Sequence, residues 1–152
     1  MERTPSTRCS RAGGLVALGG SVLVAVSMFM PWLDPDAGAA VDYLHLGAVD
    51  AVDADRGAYG LSLTLVPLLV VWCALYFAWR SHEARMVWAF GGFAGAMLLY
   101  GGDLRISAEL PADAFGLGEI VATVGLIALA AGCVLALAAN VPEPRPAAVR
   151  PV

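Results

Sequence analysis

Residues 120–141, IVATVGLIALAAGCVLALAANV, decide the fold. The stretch is 22 residues long and carries no charge. A helix of that length covers roughly 33 Å, enough to cross the hydrocarbon core of a bilayer. A helix lying on a soluble core would show charges at 3.6-residue spacing on one face, and this run has none. Three other runs read the same way: Ala12 to Leu33 (22 residues), Gly57 to Trp79 (23) and Met86 to Gly102 (17). The third covers only about 26 Å, so Arg85 is expected to snorkel from its end.

The whole chain supports that reading. Of 152 residues, 59% are hydrophobic and 14% charged, and the mean hydropathy is +0.74. Soluble domains carry about 25% charged residues. A chain of this size has no core large enough to surround four greasy helices on every side. Disorder needs low hydrophobicity and high charge, so it is excluded for most of the length. The expected fold class is all-α: an antiparallel four-helix transmembrane bundle in contact with a lipid bilayer. Its spans are about 12–33, 57–79, 85–102 and 117–140, joined by outer loops 34–56 and 103–116. A basic tail, 1–11, precedes this 12–141 domain, and a Pro-rich tail, 142–152, follows it. Ala37-Gly38-Ala39 matches a signal-peptidase site. The first run is longer than a signal h-region, and Pro31, Trp32, Asp34 and Pro35 intervene, so the helix is expected to be retained.

All nine basic residues are Arg, which with the Ala, Gly and Val content suggests a high-GC genome. Arg3, Arg8, Arg11, Arg80, Arg85, Arg145 and Arg150 fall on one side of this topology, and Arg56 and Arg105 on the other. The positive-inside rule then puts both ends of the chain in the cytoplasm of a prokaryotic plasma membrane. Ten of the thirteen acids lie on the outer side. Trp32, Tyr59 and Tyr100 at the outer ends, and Trp79 and Trp88 at the inner ends, are expected to sit at the interfaces. The short link 80–85 forces spans two and three into an antiparallel hairpin. Val41 to Leu46 gives a strand hint in the outer loop.

In lipid, helices associate where small residues let backbones approach. The first span offers Gly13, Ala17, Ser21 and Ala25, each four apart. The fourth offers Ala128, Gly132 and Ala136, and Gly118, Gly125 and Gly132 every seven residues, the spacing of a left-handed seam. The third offers Gly91 with Gly95 and Gly92 with Ala96. These faces are expected to pack the four helices together within the chain, the alternative being a stripe left over for a membrane-protein partner or a second copy. Pro67 is expected to kink the second span, with Ser62 or Thr64 helping to satisfy the Leu63 carbonyl. Ala58-Tyr59-Gly60-Leu61 and Ala114-Phe115-Gly116-Leu117 open the second and fourth spans alike. They echo either a duplicated hairpin or a shared interface preference.

Functional chemistry is sparse. A charge at the bilayer centre costs about 2.5–3.5 kcal/mol or more and marks pumps and ion-coupled transporters. This chain has none there. Glu119, in the first turn of the fourth span, comes nearest. It is either a cation- or proton-binding group or a carboxylate favoured by the helix dipole. The outer loop holds Asp42, His45, Asp50, Asp53 and Asp55, but Asp53-Ala-Asp55-Arg56-Gly57 breaks the ligand pattern of a calcium loop. No C-x-x-C or His cluster suggests a metal, so no metal and no cofactor is expected. Cys73 and Cys133 read as small buried hydrophobes, and Cys9, between Arg8 and Arg11, as the one thiol in an electropositive setting. No Ser sits in G-x-S-x-G, and His45 and His82 fall on opposite sides of the membrane, so no catalytic residue is expected. With no basic patch and a net charge of −4, nucleic acid is not a partner.

Met30-Pro31-Trp32 closing the first span, a polar outer loop, and Gly116-Leu117-Gly118 opening the last resemble a loose group of small four-span membrane proteins of high-GC bacteria and halophilic archaea. The resemblance implies the layout and no activity. The expected function is that of a non-enzymatic accessory, assembly or interaction subunit. The alternative is a small transporter or channel subunit acting as an oligomer.

Overall fold

A computed structural model describes residues 5–33, 40–48, 56–79, 81–109 and 115–140. Its order is α1 (Pro5–Ser27), a short 3-10 helix (Tyr43–Ala48), α2 (Arg56–Leu75), α3 (His82–Glu109) and α4 (Leu117–Ala138). All the described elements are helical apart from isolated bridges that tie Pro31 to Asp42 and Leu33 to Phe115. Three helices are long and apolar enough to cross a membrane: α1 over Ser10–Ser27, α2 over Gly57–Leu75, and α4. Helix α3 is longer than any of these. It interleaves glycines with its apolar residues and carries charges at both ends.

The tightest packing joins the first and last helices. Gly118, Ala122, Gly125, Leu129, Gly132 and Ala136 are all buried along α4. Their alternating spacing of four and three residues keeps one stripe facing one neighbour. Gly13, Ala17, Gly20 and Val24 answer on α1 with the same alternation. A Cβ added at Gly132 would meet Gly13 O at 2.6 Å and Ala17 Cα at 2.8 Å, and one at Gly13 would meet Ala136 N at 2.7 Å. The start of α1 thus lies on the end of α4, and the pair is antiparallel. The seven-residue glycine pattern of α4 holds. The four-residue stripe on α1 does not. Steps of four over-rotate by about 40° each, so Gly20 and Val24 take the seam instead of Ser21 and Ala25. Ser21 is buried and bonds back to Leu18 O at 2.8 Å.

The hairpin between α2 and α3 is present. Ser81 caps α3, accepting from Ala84 N–H at 3.2 Å. Two tryptophans then lock the pair: Trp72 Nε1 donates to Trp88 O at 2.9 Å, and Trp88 Nε1 donates to Trp72 O at 2.8 Å. The end of α2 makes this possible. Tyr76 N–H bonds Cys73 O at 3.3 Å, one residue short of the α-helical acceptor, which releases the Trp72 carbonyl. Trp88 is fully buried and Trp32 is 5% exposed, so both belong to the core rather than to an interface belt. Each indole N–H finds a buried carbonyl, and the packing removes any need for a headgroup.

The third helix has no spare glycine face at these positions. A Cβ at Gly91 would strike Trp72 at 2.7 Å, one at Gly92 would strike Cys133 Sγ at 2.8 Å, and one at Gly95 would strike Leu69 at 2.6 Å. These glycine faces pack on α2 and α4 inside the chain, as the intramolecular reading expects, and are not left over for a partner. The residues near Pro67 also differ from expectation. Ser62 bonds Ala58 O at 3.0 Å, and Thr64 bonds Leu61 O at 2.9 Å and Gly60 O at 3.3 Å. Both reach back one turn from their own position rather than serving Leu63. The strand hint at Val41 to Leu46 gives way to the 3-10 helix, with pairing only at Asp42.

Large apolar side chains cover the outside of all four long helices. Val26, Leu68, Val87 and Ile127 are 48%, 61%, 61% and 64% exposed. A soluble monomer does not leave so continuous an apolar surface in water.

Candidate functional site

The polar groups gather at the two ends of the helices. Where α1 begins and α4 finishes, Ser10 Oγ and Tyr76 Oη share a hydrogen bond, and Tyr76 Oη donates to Ser10 O at 2.6 Å. Asn140 Nδ2 donates to Ser10 Oγ at 3.2 Å and to Ala136 O at 2.6 Å. Arg85 lies over the Tyr76 ring at 5.6 Å and donates to Trp79 O at 3.2 Å. This network ties α1, α2, α3 and α4 together, and its donors are used internally.

The opposite end, where α4 begins, holds the candidate site. Residues 31–33 run between two partners. Trp32 N–H donates to Val41 O at 2.8 Å, Gly116 N–H donates to Trp32 O at 2.7 Å, and Gly118 N–H donates to Pro31 O at 2.8 Å. Glycine is required at 116 and 118 because a Cβ there would enter the Pro31 and Trp32 backbone or the Trp32 ring. The Trp32 indole donates to Ser27 O at 2.8 Å. Its ring packs at a tilt against Tyr43, centroids 4.6 Å apart, and Tyr43 packs at a tilt against Tyr59 at 5.4 Å. Tyr59 Oη donates to Leu44 O at 2.7 Å. Residues 31–32 and 116–118 therefore touch, and Trp32, Tyr43 and Tyr59 form an aromatic cap beside them.

Under the cap lies a cavity of about 30 Å³ bordered by Ser27, Trp32, Tyr43, Ser62, Leu99 and Asp103 among others. That is room for a water molecule or two. Asp103 sits one residue beyond the uncharged run of α3. It was expected in a loop, but α3 continues to Glu109 and turns it inward. Burial, with the negative charge of Glu119 adding, pushes the Asp103 carboxyl up to about 6. Burial likewise pushes the Tyr43 phenol up to about 12, against an opposing hydrogen bond from Ser62. Glu119 is half-buried, and Ser107 Oγ donates to its Oε1 at 3.1 Å. Asp103 Oδ1 and Glu119 Oε2 are shut off from solvent, with no hydrogen-bond partner among the described residues. Arg105, at the same end of α3, makes an interaction of its own.

The other expected site residues divide. Asp42 caps the 3-10 helix: its Oδ1 accepts from His45 N–H at 3.0 Å and pairs with His45 Nδ1 at 2.5 Å. The hydrogen bond from His45 holds the Asp42 carboxyl below its ordinary value. Asp50, Asp53, Asp55 and Ala37-Gly38-Ala39 lie outside the described residues, as does the Cys9 side chain. Among the described residues no three His, Cys, Asp or Glu groups converge on a metal position. Cys73 and Cys133 are buried free thiols.

A signal for Asp103 was present in the sequence. Ala89, Gly92, Ala96, Leu99, Asp103 and Ile106 alternate by three and four, so the buried stripe of α3 runs straight through the acid. The Trp72–Trp88 exchange had no such signal, because it depends on where α2 ends.

These features define a helical protein of membrane type, with an aromatic cap over a small cavity that Asp103 borders. No protein family, curated protein or solved structure matches the chain.

Proposed function

We propose that the chain is a four-pass integral membrane protein of a prokaryotic plasma membrane, with both ends cytoplasmic, serving as a non-enzymatic accessory or assembly subunit. The supporting observation is how the interior is used. The α1–α4 seam closes at backbone contact through Gly13, Gly20, Gly125 and Gly132. A protein built to pass a solute through itself keeps polar groups or open volume along its axis. Here the polar groups sit at the ends, and the apolar belt faces outward. In this reading α3 crosses as the least apolar of four spans, its glycines covered by Trp72, Leu69 and Cys133. A membrane-protein partner or a second copy would meet the outward faces of α2, α3 or α4.

One observation favours a second reading, a small transporter subunit: Asp103 and Glu119 border or approach the outer cavity without full partners. Purified protein in liposomes separates the two. The accessory reading expects no cation or proton flux above empty liposomes. Flux that Glu119→Gln abolishes would replace it with the transporter reading.

A further inference from the structure

The cavity under the aromatic cap is short of donors. The bordering side chains that carry one are Ser27, Trp32, Tyr43 and Ser62, and each is engaged elsewhere. Ser27 Oγ donates to Val24 O at 2.7 Å, and Trp32 Nε1 donates to Ser27 O at 2.8 Å. Ser62 Oγ donates to Ala58 O at 3.0 Å, and Tyr43 shares a hydrogen bond with Ser62. Asp103 borders the same cavity, and its Oδ1 is shut off from solvent with no partner among the described residues. An anion there has no proton to accept, and a buried unpaired charge is costly. A carboxylic acid needs only an acceptor, and the serine oxygens keep lone pairs. The closed cavity therefore suits the acid and not its anion.

The surrounding charges do not correct this. Glu119 of α4 adds negative charge. Asp42 and His45 of the 3-10 helix pair with each other, and Arg105 of α3 makes an interaction of its own. Tyr59 of α2 spends its hydroxyl on Leu44 O. Among the described side chains, α1 and α2 bring only the hydroxyls of Ser27 and Ser62 to the cavity. The walls also differ in how firmly they are held. Helices α1 and α4 meet at backbone contact, and Trp32 is tied to α4 through Gly116 and Gly118. The 3-10 helix that carries Tyr43 is held by less: Trp32 N–H on Val41 O, ring contacts to Trp32 and Tyr59, and the Tyr59 hydroxyl on Leu44 O.

We propose that this 3-10 helix is a proton-controlled lid, which closes over protonated Asp103 and lifts when Asp103 ionises, admitting the water that the anion needs. The lid is shut at low pH and loosens as pH rises through the closed-state value of the carboxyl. This goes beyond the accessory role and depends on packing at this end, not on the number of crossings.

Hydrogen exchange of the full chain in a neutral detergent, read by mass spectrometry at about pH 5 and about pH 8 and corrected for the pH dependence of exchange itself, tests this. The readout is the peptides that carry the Trp32, Leu33 and His45 amides, whose acceptors lie at Val41 and Asp42. A carboxyl titrating at about 6 when closed, and at its ordinary 3.8 when open, gives about tenfold less protection at the higher pH. At that pH the lid amides should exchange at least about tenfold faster than α4 amides beside Gly125 and Gly132, because the opening is local. Asp103→Asn should keep the low-pH protection throughout. Glu119→Gln should preserve the response and lower its midpoint, since a facing negative charge is gone, and His45→Gln should leave the response in place. Protection independent of pH, a response that survives Asp103→Asn, or one that Glu119→Gln or His45→Gln abolishes would overturn the inference. So would equal exchange of lid and α4 amides, which would make the opening global unfolding. That comparison uses the unaltered chain and stands whether or not the variants fold.

Discussion

Adding one methyl group to this chain is expected to have opposite effects at two glycines. Gly132 of α4 and Gly19 of α1 are both mid-helix, and Gly→Ala in a helix gains about 0.5–1 kcal/mol from backbone entropy. At Gly19 nothing lies within 4 Å of the new Cβ, so Gly19→Ala keeps the whole gain. At Gly132 the new Cβ would meet Gly13 O at 2.6 Å and Ala17 Cα at 2.8 Å, both backbone atoms with no rotamer to yield. Ordinary contact needs about 3.5 Å or more, so the helices must part by nearly 1 Å along the closest stretch of the seam. Overpacking of this kind costs about 1–3 kcal/mol, and a gap of that size forfeits a quarter to a half of each nearby contact. The propensity gain cancels in the comparison, leaving Gly132→Ala about 1–3 kcal/mol less stable than Gly19→Ala. Reversible unfolding in mixed micelles, followed by tryptophan fluorescence, reads the difference. Equal stabilities, or a more stable Gly132→Ala protein, would refute the close α1–α4 seam and the antiparallel register built on it.

Other perturbations probe the ends. Asp103 titrates near 6 in the folded chain against an ordinary 3.8. A raised carboxyl stabilises fully below its unfolded value, and that stability is lost as pH rises through the folded value. Stability should therefore fall between about pH 4 and pH 7, by at most about 3 kcal/mol. Asp103→Asn should flatten the profile, and an unchanged slope would show that another group causes it. Tyr76→Phe removes the hydroxyl joining Ser10 of α1 to α2. It should cost about 1 kcal/mol in the same unfolding assay, and no loss would show that the inner network is idle. Trp72→Phe removes one arm of the indole exchange and leaves Trp88 O without that donor. A loss of about 1–2 kcal/mol is expected, and a smaller effect than Trp79→Phe would argue against the lock.

What could be read beforehand followed from periodicity. The uncharged runs located α1, α2 and α4, and the glycines at 118, 125 and 132 marked the α4 seam, because a helix repeats nearly every seven residues. The ends of helices were harder. Charge was taken to end the third run at Gly102, yet the same helical stripe carries Asp103 and Ile106 inward to Glu109. Trp32 and Trp88 were assigned to interfaces because lone aromatics prefer them. Their N–H groups instead find carbonyls released by chain reversals that no local pattern announces. That the Gly91 and Gly95 face packs within the chain is legible from its small residues, but which side chains cover it, Trp72 and Leu69 of α2, is not, because no local pattern sets the register of α2 against α3. Glu119 was named as the candidate acid, but its neighbours Ser107 and Asp103 come from a helix whose length was underestimated.

Everything here depends on the chain crossing lipid four times with both ends on one side. The most direct test uses a Cys9→Ser, Cys73→Ala, Cys133→Ala background carrying His45→Cys or His82→Cys singly. Intact cells are treated with a membrane-impermeant maleimide. The account predicts labelling of His45→Cys from outside, and labelling of His82→Cys only after the cells are opened. Equal labelling of both from outside, or labelling of His82→Cys alone, would contradict it.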